Sequence, residues 1–470
     1  MAKRGLRAPG LERMATSTAV ILCGLASTSV ATLGENHPVD VFTVAAVGVG
    51  LSLSLATALE GGAGVRNLIR VDILLLWVLY GLTFLEFLFP QPGVEAVVST
   101  DAAMSGTNAV LLGFAGLVVG RHLGPGGSRQ IPNFVNAQSP PIFLLFVLAT
   151  TLGYLHIFLA VNFDPLEALR QMSLPRGWQS WGRGKYGDAS ALLFEVGALI
   201  YLLPPIAGLI YARSKNYNAL QKIVVTIVVL FTFYYGFSSG TRNILAIYVI
   251  TFVGAYFLTK PKTSLRQILY LGGPIIVLGV IGTIYMFEFR KIGLSNFSLA
   301  ESRLDTVYID HNIVVISQLT DVFPNLYEFL GLEIPFNALI HPIPRFLWPG
   351  KPEGLSVSIE SAVHAGSGMT VSATFIGEAY MSGGLLVVVF ASLLIGAAAE
   401  NWNRMARNTS LPFPLLLYVS GFFCAAITMR SMLWILPTML PTLALWLYGK
   451  LYLGRFSRRA STAVIGPIRA

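Results

Sequence analysis

Residues 223–259 read IVVTIVVLFTFYYGFSSGTRNILAIYVITFVGAYFLT, and between Lys222 and Lys260 they hold a single charged residue, Arg242. The apolar runs 223–238 and 244–258 approach the ~20 residues that a helix needs to cross a hydrocarbon core. Between them Ser238-Ser239-Gly240-Thr241-Arg242-Asn243 makes a tight turn. In lipid, backbone polar groups must be satisfied internally, so paired runs of this kind read as adjacent membrane-crossing helices.

Composition extends that reading to the whole chain. Of 470 residues, 54% are hydrophobic and 12% charged, whereas a soluble surface requires about a quarter charged. This excludes a water-soluble enzyme, a coiled coil and a disordered chain. Further runs lie at 14–33, 41–59, 73–89, 102–120, 141–161, 189–212, 268–287, 384–399, 411–429 and 433–453, so the expected fold is all-α and polytopic with about twelve transmembrane helices. Residues 1–470 form one transmembrane domain on this reading. The first run follows Lys3, Arg4, Arg7 and Arg13 and resembles a signal peptide with a Ser29-Val30-Ala31 cleavage site; its length and the charge pattern favour a retained helix. Cys23 and Cys424 sit in apolar runs and offer neither a disulfide framework nor a thiolate metal site.

Orientation follows from Lys and Arg in the connections. With the N-terminus inside, inside segments hold 21 of the 32 Lys and Arg but only Glu12, Glu60, Asp72 and Glu400 among the acids. Both termini are then cytoplasmic, and the net charge of +9 reports orientation and not a nucleic-acid partner. Two long loops fall outside, 162–188 and 288–383. No inside loop is large enough for a catalytic domain, and no GxxxxGK[ST] or HExxH motif occurs. Chemistry is therefore expected at the outer face, without ATP, and no cofactor or metal is expected.

The larger loop carries the candidate residues. Ser298-Leu299-Ala300-Glu301 has capping-box spacing, and Leu304, Val307, Tyr308, Val315 and Leu319 follow at helical period. This predicts a helix near 299–319 along the membrane surface. Then comes His341-Pro-Ile-Pro-Arg345-Phe-Leu-Trp348-Pro-Gly-Lys351-Pro352, whose four prolines predict stiff extended backbone, with Phe346 and Trp348 as interfacial anchors. Basic residues outside run against the positive-inside bias and ask for a reason. Arg242 begins a helix where free N–H groups already favour an anion. Arg290, Arg345 and Lys351 lie in the large loop, and guanidinium forks suit phosphate oxygens. The plainer alternative is that interfacial bases snorkel to headgroups or pair with loop acids. That alternative is strongest for Arg170, Arg176 and Arg183, which sit beside Trp178 and Trp181.

Candidates for a general base are Glu378, His341, His311, Asp310 and His364. Glu378 lies in Gly377-Glu378-Ala379-Tyr380 at the start of a span, where it could equally serve the helix dipole. His311 shares a helical face with Leu304, Val307 and Val315, which favours packing over catalysis. Glu86 and Glu195, carboxylates within spans near an outer end, are further candidates. No group has metal-ligand spacing.

Many spans, the Ser-Gly-Thr-Arg242 turn, the string Pro344-Arg345-Phe-Leu-Trp348-Pro-Gly-Lys351-Pro352 and Gly377-Glu378-Ala-Tyr380 together resemble the Wzy-type repeat-unit polymerases of bacterial surface polysaccharide assembly. The likeness covers roughly 140–400 and is clearest over 285–385. It implies a glycosyltransferase with a GT-C-like fold in the bacterial inner membrane, working at the periplasmic face. The substrates would be donor and acceptor oligosaccharides on undecaprenyl-type diphosphates, joined into an O-antigen or exopolysaccharide, with a chain-length regulator as a possible partner. The implied diphosphate contacts are Arg242, Arg290, Arg345 and Lys351; Arg170, Arg176, Arg303 and Trp348 would contact glycan or lipid. Glu378, with His341 or His311, would act as base. A ligase acting on the same donor and a lipid-linked glycan transporter are the alternatives. Transport would predict polar residues near the bilayer midplane, where this sequence is nearly bare.

Overall fold

The computed structural model describes residues 11–464 apart from 63, 125–140, 182–192, 194, 261–263, 275–276, 278–284, 287–288, 290–291, 295–309, 344, 346, 353 and 365–370, and 407–410. Among the described residues the regular structure is helical throughout. The long helices are α1 (Leu11–Thr32), α2 (Pro38–Gly61), α3 (Val71–Thr83), α4 (Thr100–Gly120) and α5 (Ile142–Ala160). A short α6 (Pro165–Met172) precedes α7 (Leu203–Ala212), α8 (Ala219–Ser238) and α9 (Arg242–Thr259). Then come α10 (Asn312–Val322), α11 (Glu333–Ile340), α12 (Thr374–Ala406), α13 (Pro412–Arg430) and α14 (Ile435–Val464).

Nine described helices are long and apolar enough to cross a membrane, which makes the chain a polytopic membrane protein. The expected twelve runs divide differently. Runs 73–89 and 189–212 become shorter apolar helices, Val71–Thr83 and Gly197–Ala212. Half of 268–287 falls outside the described residues. Near Leu85 a 3-10 turn takes over from α3, and Leu203-Pro204-Pro205 begins α7 where missing N–H groups cost nothing.

Two cores form, one from α1–α4 with α10, α12 and part of α13, the other from α5, α7, α8 and α9 with α13 and α14. α13 contributes to both and is the most buried of the long apolar helices. Water gives no drive for helix association within lipid, so close packing must supply it, and small residues permit close approach. A Cβ at Gly116 of α4 would lie 2.5 Å from Cβ of Ser392 in α12; at Gly120 it would lie 2.4 Å from the Leu393 carbonyl oxygen. From the other side, a Cβ at Gly396 would lie 2.3 Å from the Leu117 carbonyl oxygen. The same α4 admits α10 at Gly106, where a Cβ would sit 2.7 Å from Cα of Ser317.

This last contact corrects an expectation. The helix of the large loop does not lie on the membrane surface: Asn312, Ile313, Ile316, Ser317 and Leu319 are fully buried between α4 and α12. The described helix begins at Asn312, and His311 precedes it with φ 47°; the expected start near 299 lies outside the described residues. The capping-box residues lie outside the described residues.

α12 is broken. Gly383 and Gly384 depart from helical geometry, with φ 69° and ψ −158° at Gly384, dividing a short N-terminal part that carries Glu378 from a long C-terminal part. The break frees carbonyls that the large loop satisfies: Leu330 and Gly331 donate backbone N–H groups to Met381 (2.8 Å) and Ser382 (3.0 Å). Non-helical backbone at membrane depth is tolerated only with such repair. Phe329 lies across Gly384, 3.2 Å from where a Cβ would stand.

Candidate functional site

At one end of the bundle the helices meet around the turn Ser431–Trp434, between α13 and α14. Glu378, buried within α12, accepts from the Ser431 hydroxyl and from the Met432 N–H (2.5 Å). A carboxylate against the free N–H groups of a helix start is charge-assisted and complements the dipole. Glu378 therefore caps not its own helix, as its position near a span start suggested, but the beginning of α14. Next to it Arg430 pairs with Asp310 at 3.7 Å, and Ser372 donates to the Arg430 carbonyl.

Trp434 in the same turn faces the His341 ring at 4.3 Å between centroids. The carbonyl of His341 accepts from Lys351 Nζ at 2.9 Å, and Ile343 accepts a second bond at 3.0 Å. Arg345 donates to the carbonyls of Lys351 and Pro352, both at 3.1 Å. The proline-rich strip is thus folded back on itself by its own cations. Turns close from Ile343 to Ile340, Trp348 to Arg345 and Lys351 to Trp348, so the expected extended backbone is replaced by successive turns. Prolines fix φ but leave ψ open, and carbonyls without ladder partners attract nearby cations. Burial and then the Arg345 charge pull the Lys351 ammonium below its ordinary pKa, while Glu195 opposes them.

Glu378, His341, Lys351 and Arg345, with Arg430, Trp434 and Glu195, are therefore linked around one turn. Other candidates are placed apart. His311 bonds Gln91 (3.0 Å) and packs on Phe87, with burial holding its pKa down. Gln91 also lines an open concavity of about 400 Å³ with Val39, Pro90, Pro92, Gly93 and Glu95. Arg242 opens α9 after Thr241, and Gly240 at φ 62° supplies the left-handed turn. Arg170 is exposed on α6 near Glu167 (3.8 Å), and Arg176 lies on a 3-10 turn after it. Trp348 is partly exposed on the strip. Arg290 and Arg303 lie outside the described residues. Glu86 is buried in the turn after α3.

At the opposite end lies a network that the charge count had assigned to inside loops. Arg70 binds Glu60 (2.7 Å) and Asp72 (2.5 Å); Arg121 binds Glu60 (2.8 Å) and approaches Asp72 at 3.4 Å. All four side chains are at most 4% exposed. Arg121 also donates to Thr18, Ser17 and the Met14 carbonyl. Asn403 donates to Asp72 at 2.6 Å and accepts from Tyr418 at 2.8 Å. Two cations and two anions cancel, and each is also hydrogen-bonded, which a buried charge requires. The signal was present in Glu60, Arg70-Val71-Asp72 and Gly120-Arg121 at the ends of consecutive apolar runs. Same-face helix ends bring these residues together.

A family model described as Domain of unknown function (DUF8712) matches residues 221–409. The stretch includes Arg242, His311, His341, Arg345, Lys351 and Glu378, but neither the Ser431–Trp434 turn nor Arg70 and Arg121. No solved structure matches the chain.

Proposed function

We propose that the chain is a membrane glycosyltransferase of a bacterial inner membrane that joins polyprenyl-diphosphate-linked oligosaccharides at the periplasmic face. The observation that carries this reading is the gathering of Arg345, Lys351, Arg430, His341 and Glu378 around Ser431–Trp434. The positive-inside bias puts that turn outside. In the reaction the bond between the donor sugar's anomeric carbon and its diphosphate breaks. The acceptor hydroxyl oxygen takes its place, and the hydroxyl proton passes to a base. The departing diphosphate gathers negative charge, which fixed cations stabilise.

The bonding pattern divides the labour. Arg345 and Lys351 spend donors on the strip's carbonyls, so they shape it and lend positive field. Glu378 positions the turn, and His341 is the better base. Arg242, at the start of α9, offers a further diphosphate contact. Arg170, Arg176 and Trp348 serve the glycan or its lipid. A transporter would also suit a broken helix, but here loop backbone and Phe329 fill the break.

Purified protein in nanodiscs, given a polyprenyl-diphosphate oligosaccharide, should yield a ladder of longer products. His341→Gln should abolish the ladder while leaving the protein monodisperse. Full laddering by both Arg242→Ala, which removes the diphosphate contact, and Arg345→Ala, which removes the strip's supporting cation, would sink the assignment of these cations to the diphosphate. In cells lacking the protein, single-repeat glycans indicate a polymerase and unattached long chains a ligase.

A further inference from the structure

Among the described residues, the large loop presents an exposed apolar row. At and along α11, Leu332 at its N-cap and Phe336 and Leu339 within it are 81%, 47% and 64% exposed, and Ile343 in the turn that follows keeps the same spacing. The opposite side of α11 is buried through Ile334, Ala338 and Ile340. Glu333, the helix's acidic residue, is turned away to hold the Ser356 hydroxyl at 2.7 Å. α11 is therefore two-sided, yet the side that faces outward is the apolar one. A protein patch of this kind in water marks an interaction surface.

Its place in the fold identifies the partner. The segment entering α11 is pinned to the break of α12 by the Leu330 and Gly331 N–H groups. Phe329 covers Gly384 there, and the row Leu386, Phe390, Leu394 begins directly below it, at 84%, 62% and 55% exposure along a membrane-spanning helix. The α11 row is thus continuous with a surface that lipid already covers. At its other end the strip adds Leu347 and Trp348, of which the indole suits the headgroup boundary.

We propose that α11 and the following strip are sunk into the outer boundary of the bilayer, with Leu332, Phe336, Leu339 and Ile343 against lipid acyl chains. The partner is a lipid surface, and α11 behaves as an interfacial helix tied to the bundle. This does not depend on the activity proposed above.

The test uses full-length protein in phospholipid nanodiscs, with Cys23 and Cys424 replaced by Ala and a spin label on Leu332→Cys, Phe336→Cys or Leu339→Cys. Asn325→Cys and Ser361→Cys, exposed polar positions of the same loop, serve as references. Oxygen partitions into lipid and a nickel chelate into water. Row labels should collide more with oxygen than with nickel, and the reference labels the reverse. Row labels as open to nickel as the references would overturn the proposal. So would shielding from both reagents with spin–spin broadening, which would mean that a second copy covers the row.

Discussion

Glu378 is the residue at which position and role part company. Its neighbours in the chain suggested a carboxylate at the start of a span, whereas its donors, the Ser431 hydroxyl and the Met432 N–H, lie 53 and 54 residues later in the turn before α14. Hydrogen bonds to a charged group contribute about 1.5–3 kcal/mol each, and the donors left behind are half-buried. Glu378→Ala should therefore cost at least about 3 kcal/mol, read as a lower thermal midpoint in detergent, and Glu378→Gln should recover part of it. His122 offers a pH test. Its ring bonds Thr18 at 2.8 Å, and burial followed by the Arg121 charge lowers its pKa, with Arg70 adding to the effect and Glu60 and Asp72 opposing it. The folded state favours the neutral ring. That stability is complete above the unfolded pKa of about 6.5 and is lost as pH falls below it. Thermal midpoints should decline below about pH 6.5, and His122→Gln should flatten part of the decline; His311, also lowered, accounts for another share. No local pattern revealed either setting, because each is made by residues distant in sequence.

Among elements, the break in α12 and the glycine seam of α4 set the architecture. Gly384 occupies a region of φ and ψ that is open to glycine alone. Gly384→Ala should cost about 1–3 kcal/mol through strain, and adding Phe329→Ala should leave most of that loss in place. Persistence of the wild-type melting temperature in Gly384→Ala would show that the break is not needed. At the seam, Gly116→Val would force α4 from α12, costing about 1–3 kcal/mol or more. The helices themselves were legible, since runs such as 102–120 and 411–429 match α4 and α13 within about a turn. Burial of α10 was not legible. Its sequence has the period of a surface helix, and only the space left by Gly106 reveals that it sinks into the bundle.

For the whole molecule, the two ends of the bundle differ in kind. One end is closed by four buried charges; the other carries the turn-linked cations and the apolar α11 row. Removing one member of a buried ion network strands its partners and costs about 3–5 kcal/mol. Arg121→Met should show such a loss in detergent melts. Arg121→Met with Glu60→Met should lose less than the two single changes added together, because the second change removes a stranded charge. Simple additivity would mean that the network carries no coupling. The basic loops give the sequence its expectation of sidedness. The sequence did not disclose that Arg70 and Arg121 leave those loops to meet Glu60 and Asp72, because charge counts carry no depth.

The order in which the closed end is synthesised has a consequence for assembly. Both cations and both anions have been synthesised once Arg121, the residue after α4, is added, as have Met14, Ser17 and Thr18 of α1. A nascent chain halted there is already neutral at that junction and can hold four helices together within the translocon's reach. Asn403 and Tyr418 arrive only with α12 and α13 and close over a junction built long before them.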